Sequence, residues 1–588
     1  MHLKRLPSLA CASFISALLS PSLVEGSSHT DSQHVKQVAI IGAGAAGSST
    51  AYHLRKYAEQ NDLAVNVTIF ERTAHIGGRT LTVDVYDSPG QPVELGASIF
   101  VEVNRILYNA TQEFNLTFTD PGADENGILG IWDGERFVYQ QDSESWGWWN
   151  LAKLLWKYGT APYYTRKLVQ DTVATFLQLY EAPYFPFRSL STRAFELGLA
   201  KITGVTGQQF LAANQLDGPF AHDIVQTSTR VNYASNLAYI HGLGTMVSMA
   251  PEGAVAVAGG NWQIFSQMVA RSGAHISLNT SVTSISLEPG KESGSAAPKY
   301  GIQTTATGSK HGDTSAPTQY PVSFDSVVLA APYQFSGITT DADLIQNPID
   351  EIPYATLHVT LFASSFRFSP AFFNLEPGAK VPISVLTTLS ADEEPKPGPE
   401  GAGKAGFFSA TLVKVVTNPR TGGKEFVYKI FSPAKVTPAF LSSLLGVQVP
   451  ETFTGSGAVA VDDVDPITWY HPTVFHPYPR ELPRVTFQDP ILRDGLYYTS
   501  GIESFVSTME TSALMGMNVA RLIADDYLGI EHEAEGEGES SHDGPGDAAG
   551  VLFAQDQGQD QNVLAAQQEK VAEGYGRPAD AAAEGSEL

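Results

Sequence analysis

The sequence predicts an α/β fold of the doubly wound type, interrupted by a discontinuous second domain of mixed sheet and helices. Three observations predict it. An apolar run at 35–41 (VKQVAII) passes through Gly42, Gly44 and Gly47 into a helical pattern at 46–60, and a second apolar run at 65–71 (VNVTIFE) ends on Glu71. A strand expected near 322–330, with VVLAAPY at 327–333 and Pro332 soon after, reads as a return to the same sheet. The last ordered element reads as a helix over 503–528, with Phe505, Met509, Ala513, Met517, Ala520 and Ile523 at helical spacing. Strand, glycines, helix and strand together open a Rossmann-type nucleotide-binding domain.

Taken in order, residues 1–26 read as an export signal. Lys4 and Arg5 form its basic start, residues 9–19 its short apolar core, and Gly26 precedes the expected cleavage before Ser27. Pro7 and several serines interrupt the apolar run, which disfavours a retained anchor. Residues 35–110 form the first part of the nucleotide domain, and 111–255 a mainly helical region, with a long helical pattern at 161–179. Residues 256–335 return to the nucleotide domain, 336–475 add sheet and loops, and 476–528 close the first domain. Within 383–433, strand-like runs flank a polar stretch, DEEPKPGPEGAGK at 392–404, expected as a flexible surface loop. Residues 529–588 hold fourteen acidic residues against Lys570 and Arg577 and read as a disordered acidic tail.

Composition narrows the function class. A chain of 588 residues suits two or three structural units, and 43% hydrophobic residues are enough to pack them. The net charge of −26 argues against a nucleic-acid surface, which needs clustered Lys and Arg. Cys11 is the only cysteine and lies in the signal, so the mature chain is expected to hold neither a disulfide nor a thiol nucleophile. No metal ligand set is expected: His471 and His476 flank prolines without carboxylates at matching offsets. Four acceptor tripeptides for N-linked sugar begin at Asn66, Asn109, Asn115 and Asn279; Asn66 is expected to be poorly accessible near a strand start, and Asn109 and Asn115 are the better acceptors.

The glycine loop supplies the first candidate site. Gly42 permits a tight turn, Gly44 lets the chain approach a pyrophosphate, and Gly47 lets the helix lie on the sheet, with the amides around Ala45 and Ala46 facing phosphate oxygens. The bland alternative is a structural turn. Glu71, 24 residues beyond Gly47, is placed either to accept two ribose hydroxyls or as a strand-end surface carboxylate. After it, ERTAHIGGRTLTV brings Arg72, Gly77, Gly78 and Arg79, and VELGASIF brings Glu94 and Gly96.

Glutamate, paired glycines and arginine in that order resemble the flavin-dependent amine-oxidase superfamily. The resemblance implies that the domain is a Rossmann-type FAD-binding domain, with the arginine near the pyrophosphate. It is closer still to the prenylcysteine oxidases (prenylcysteine lyases), through RVNYASN at 230–236, VAGGNWQIFSQMV at 257–269, WYHPTVFHPYP at 469–479 and DGLYYTSGIESFVSTMETSALMGMNVARLI at 494–523. Similarity runs from about 37 to 527. It implies that Gly501, Ile502, Glu503 and Ser504 lie where the last helix begins beside the flavin, and that the Val282 backbone contacts the adenine. Plain capping by Glu503 and a plain core role for Val282 are the competing readings.

By the same resemblance the substrate is S-farnesyl- or S-geranylgeranyl-cysteine, cleaved with molecular oxygen and water to a prenyl aldehyde, cysteine and hydrogen peroxide. The flavin would accept two electrons from the carbon attached to sulfur. No catalytic side chain is assigned. His241 and His358 are the weak candidates, Tyr233 and Tyr239 can line a cavity or a core, Glu510 is a lesser candidate, and Arg230 binds a carboxylate or braces the second domain through carbonyls. Two rival readings stay open: a flavin oxidase of amines, and a noncatalytic flavin- or prenyl-binding protein. The expected setting is the secretory pathway, vacuole or lysosome before secretion. No obligate protein partner and no transmembrane segment are expected; peripheral membrane contact is left open.

Overall fold

The chain shuttles between a six-stranded and a seven-stranded sheet, with a smaller four-stranded sheet beside the first. In the computed structural model, which describes residues 35–122, 127–142, 147–250, 253–288, 299–307, 316–451 and 465–530, β1 (Lys36–Ile41) runs into α1 (Ala45–Gln60) and returns as β2 (Val65–Phe70). After α2 (Arg105–Glu113) the chain gives a second sheet β3 (Ile128–Trp132) and β4 (Phe137–Asp142). A helical stretch follows with α3 (Ala161–Phe176), α4 (Gln226–Tyr233) and α5 (Gly242–Ser248). The chain comes back through α6 (Trp262–Ser272), β5 (His275–Ser277), the hairpin β6 (Thr280–Glu288) and β7 (Lys299–Ala306), and β8 (Ser326–Leu329). A second excursion adds β9 (Leu357–Ser364), β10 (Ser384–Thr387), β11 (Ser409–Thr417), β12 (Lys424–Ser432) and β13 (Trp469–Phe475). The closing strands β14 (Ile491–Arg493) and β15 (Leu496–Tyr498) then lead to α7 (Met509–Leu528). The expected signal and acidic tail lie outside the described residues.

The first sheet has the order β14-β15-β8-β1-β2-β5, parallel from β15 to β5. Strands buried on both faces read as continuous apolar runs, which is why VAII carries no alternation. Val38 and Ile40 face a core shared with α1, α6 and α7. Ala39 and Ile41 face the other way, into a core with Val282, Ile285 and Tyr300 of the β6–β7 hairpin. Helix α7 lies hard against α1: a Cβ on Gly516 would come within 2.2 Å of the Ala46 carbonyl oxygen, and Ser49 Oγ donates to the Ala513 carbonyl at 2.6 Å.

The second sheet has the order β13-β9-β12-β11-β10-β3-β4. Its aromatic core stacks Phe368 on Tyr428 with centroids 4.4 Å apart and Trp132 edge-on to Phe373 at 5.3 Å. Within the mainly helical region 111–255, β3 and β4 belong to this sheet.

Two expectations change here. The stretch 392–404 lies at the surface over most of its length, as expected, but Gly401 and Ala402 within it are buried and residues 398–405 wind into 3-10 turns instead of forming a free loop. The cause is Arg230, fully buried on α4, whose guanidinium donates to the carbonyls of Gly401 (2.6 Å), Ala402 (2.9 Å) and Thr387 (3.0 Å) and to Asn236 Oδ1 (2.8 Å). Arg230 is thus a brace through carbonyls. The closing helix also starts later than 503. Ser500–Ser504 is a 3-10 turn, and Thr508 and Thr511 form a reciprocal capping box that sets Met509 as the first helical residue. Phe505 and Val506 are apolar because that turn buries them.

Candidate dinucleotide and substrate site

The candidate site stands at the carboxyl ends of β1, β2 and β8, where open parallel sheets bind ligands. Gly42 leaves β1 at φ +110°, and a Cβ there would meet the Ala330 carbonyl oxygen at 2.8 Å. A Cβ on Gly47 would lie 1.9 Å from the Gly42 carbonyl oxygen, so only glycine lets α1 start this close to the strand. Gly44 differs. Its Cβ would meet only the Gly78 Cα, at 3.7 Å, and no side chain caps the helix that begins at Ala45. The first-turn amides of Ala45, Ala46 and Gly47, with the positive end of the helix dipole, are thereby offered to an anion. Gly77 and Gly78 close the loop from beneath, Gly77 N–H donating to the Ala43 carbonyl at 2.9 Å.

Glu71 is buried under this loop. Its Oε2 accepts from Ala43 N–H at 2.9 Å, and its Oε1 accepts from Thr73 N–H and Thr73 Oγ1 at 2.8 Å. Three of its roughly four lone-pair positions are taken, so one ribose hydroxyl fits rather than the two expected. The second fits only when Thr73 Oγ1 turns its single hydrogen to the His75 carbonyl, 3.0 Å away. Thr280 N–H donates to the Glu71 carbonyl at 2.9 Å, which sets buried Val282 just along β6 from the carboxylate. These parts fit a dinucleotide: an uncapped helix start, an open glycine face for the phosphates and a carboxylate for the ribose.

Arg79 and Glu503, 424 residues apart, form a bidentate pair at 2.7 and 2.8 Å. Arg79 also donates to the Pro477 carbonyl at 2.6 Å, and Tyr354 Oη donates to Glu503 at 3.0 Å. Glu503 therefore caps no helix; it anchors the turn holding Gly501 and Ile502 to the loop after β2. A cleft of about 470 Å³ opens beside it, lined by Tyr354, Glu351, Phe335 and His476. Arg72 is exposed and reaches the Phe335 carbonyl at 3.2 Å instead of the glycine loop.

The weaker candidates divide. His241 is fully buried as the N-cap of α5, its Nδ1 accepting from Gly244 N–H at 2.9 Å. Its Nε2 faces Glu481 Oε2 at 3.9 Å, beyond hydrogen-bond reach. His358 is half-buried on β9 between Ser432 and Val474, in the second sheet rather than at the glycine loop. Tyr233 packs edge-on to Tyr478 at 5.4 Å, and Tyr239 donates to the Pro395 carbonyl at 3.3 Å. Glu510 accepts from the amides of Ile106 and Leu107 and from Tyr180 Oη, all within 3.0 Å; it caps α2. All four glycosylation asparagines are exposed, Asn66 included, because it is the outward-pointing residue near the start of β2.

Sequence reasoning missed Lys429. It is buried on β12 and donates to the Glu94 carbonyl at 2.8 Å and to Ser98 Oγ at 2.9 Å, fastening the 94–98 loop to the second sheet. Burial lowers its pKa and raises that of Glu94. A lone lysine in the apolar run EFVYKIFS was the signal available.

Burial also pushes Glu481 up to about 8 and Glu510 up to about 7, and holds His53 and His241 down at about 4. A carboxyl raised in the fold gains protons before the unfolded chain does, so stability rises as pH falls from about 8 toward 5. The two histidines act oppositely, removing stability only as pH falls below about 6.5, where the unfolded chain protonates. The melting temperature should therefore be about 2–4 °C higher at pH 6 than at pH 8. Glu481→Gln should shrink that difference, and an unchanged difference in the variant would remove Glu481 as its source.

The model of an NAD(P)-binding Rossmann-like domain matches residues 40–114, and the prenylcysteine lyase model matches residues 141–536. Farnesylcysteine lyase of Arabidopsis thaliana is 27% identical over 541 residues, covering 88% of this chain and 94% of that protein. Prenylcysteine oxidase 1 of Homo sapiens is 26% identical over 498 residues, covering 83% and 88%. Among solved structures, cyclohexylamine oxidase from Brevibacterium oxydans is similar with a TM-score of 0.48 at 16% identity, covering 84% of this chain and 99% of that one. Because the prenylcysteine lyase model spans about two thirds of the sequence, from the end of β4 through all of α7, the chain belongs to the prenylcysteine lyase family.

Proposed function

We propose that this protein is an FAD-dependent thioether oxidase that cleaves S-farnesyl- or S-geranylgeranyl-cysteine. The observation that carries the reading is the match of residues 141–536 to the prenylcysteine lyase family, joined to a dinucleotide cradle at the ends of β1, β2 and β8. Overall, the thioether, O₂ and water give prenyl aldehyde, cysteine and hydrogen peroxide, which balances in atoms and electrons. A bound flavin supplies the two-electron acceptor and its return to the oxidised state by oxygen.

The chain's own residues bind and orient. The amides of Ala45–Gly47 and the α1 dipole hold the pyrophosphate, and Glu71 holds a ribose hydroxyl. Arg79, charge-paired with Glu503, ties the 500–504 turn to the loop after β2, which Gly77 N–H joins in turn to Ala43 of the glycine loop. Lys429 sets the 94–98 loop between the two sheets. A prenyl chain contributes affinity through burial, roughly 25 cal/mol for each Å² removed from water. Polar contacts then decide which carbon is presented.

Purified protein should be yellow. Under anaerobic conditions, farnesylcysteine should bleach the flavin absorbance, and primary amines should not. Bleaching by amines alone would overturn the substrate assignment, and a colourless protein after FAD addition would overturn the cofactor. The export-type N-terminus supports a vacuolar or lysosomal setting; a cytosolic location of the tagged full-length protein would count against it.

A further inference from the structure

We propose that the helical corner formed by residues 152–167 is a docking surface for a lipid bilayer carrying anionic headgroups. The corner joins the helix Gly147–Tyr158 to α3 through Gly159 and Thr160. The inner face of α3 is spent on packing, with Thr165, Val169, Thr172 and Phe176 buried at helical spacing. The neighbouring helix is pinned by Tyr158, whose Oη donates to Asp223 at 2.9 Å. What remains outward is aromatic. Trp156 is 93% exposed, Tyr163 64%, Tyr164 54% and Leu155 43%. Scattered exposed apolar residues are ordinary, but four within ten positions, one of them a nearly naked tryptophan, are not.

Charge selects the occupant. Between residues 147 and 170 the chain has Lys153, Lys157, Arg166 and Lys167 and no acidic residue, in a protein of net charge −26. Lys153 and Lys167 are exposed beside the aromatic residues. Tryptophan and tyrosine prefer the headgroup level of a bilayer, where an apolar ring and a polar edge are both accommodated. Lysines there are attracted to anionic lipid within a Debye length. A protein partner for such a face would need an acidic apolar patch of its own; a bilayer supplies both halves. No described helix is long and apolar enough to cross a membrane, so the corner would lie on the surface. The inference goes beyond the proposed chemistry and does not depend on it.

The test is flotation of the full-length protein with vesicles of phosphatidylcholine alone and of phosphatidylcholine with about one third phosphatidylserine. The wild type should float with the anionic vesicles, less with the neutral ones, and fall off at high salt. Lys153→Glu with Lys167→Glu should weaken binding by about tenfold or more, and Trp156→Ser with Tyr163→Ser should do the same at any salt. Phe195→Ser, at another exposed aromatic, should leave it unchanged. All of these residues are exposed, and matched melting temperatures will show that the fold is kept. Failure of the wild type to bind anionic vesicles, equal binding by the corner variants, or a dimer that the corner variants dissolve would each overturn the proposal.

Discussion

Gly47→Ala is expected to cost both the fold and the cofactor, whereas Gly44→Ala should cost the cofactor alone. At Gly47 the new methyl would sit 1.9 Å from the Gly42 carbonyl oxygen and 3.1 Å from an Ile40 methyl, both fixed by the sheet. Relief requires α1 to lift from β1, and α1 is the helix against which α7 packs through Gly516. Overpacking of this kind destabilises by about 1–3 kcal/mol or more. At Gly44 the backbone is extended, φ −78° and ψ −168°, and a methyl meets nothing closer than 3.7 Å. The methyl would occupy space the phosphates need, weakening cofactor binding by about tenfold to a hundredfold. Melting curves of the apoproteins and flavin absorbance after purification separate the two. A Gly44→Ala protein as yellow as wild type would show that no phosphate rests on this loop.

Arg230→Met should be among the most destabilising single changes in the molecule, costing at least about 3–5 kcal/mol. The guanidinium serves the carbonyls of Thr387, Gly401 and Ala402, Thr387 Oγ1 and Asn236 Oδ1, and packs over the Phe408 ring at 5.4 Å. No carboxylate neutralises it at contact distance, and burial lowers its pKa to about 9. Methionine fills much of the volume but leaves several buried carbonyls without a donor. Lysine would keep the charge without the planar fork, so Arg230→Lys should rescue little. The urea midpoint measures the loss, and protease cutting within 392–404 should appear in the variant before global unfolding. A midpoint within experimental scatter of wild type would mean that water replaces the guanidinium.

The readings that held were those in which local chemistry decides. An apolar run, three glycines and a helical period specify β1, α1 and β2 to within a residue, and the return strand is set by the same apolar run before Pro332. The readings that failed depended on partners far along the chain. The 392–404 stretch is polar and rich in glycine, as a surface loop would be, and its carbonyls between Pro395 and Ala402 are held by Arg230, Asn236 and Tyr239, far earlier in the chain. Glu503 reads as a helix-start carboxylate and Glu510, two turns on, as a lesser functional candidate. One is held by Arg79 and the other caps a helix 400 residues away. The helical spacing extends α7 back to 503 because apolar Phe505 falls in phase with Met509, whereas the Thr508–Thr511 capping box sets the start at Met509. Lys429 is illegible for the same reason, since its partners, the Glu94 carbonyl and Ser98 Oγ, lie more than 300 residues earlier in the chain.

The strand order also bears on how the molecule comes off the ribosome. β1 emerges first, yet one of its neighbours, β8, is translated 285 residues later, and β8 in turn waits for β15 at Leu496–Tyr498. Until then the nascent nucleotide sheet keeps an open flank while two stretches of the other sheet are threaded between its parts. Long-range pairing of this kind is slow to form and exposed to aggregation in the meantime. Cofactor capture therefore favours the completed polypeptide, since a product terminated before β15 lacks the 500–504 wall of the seat.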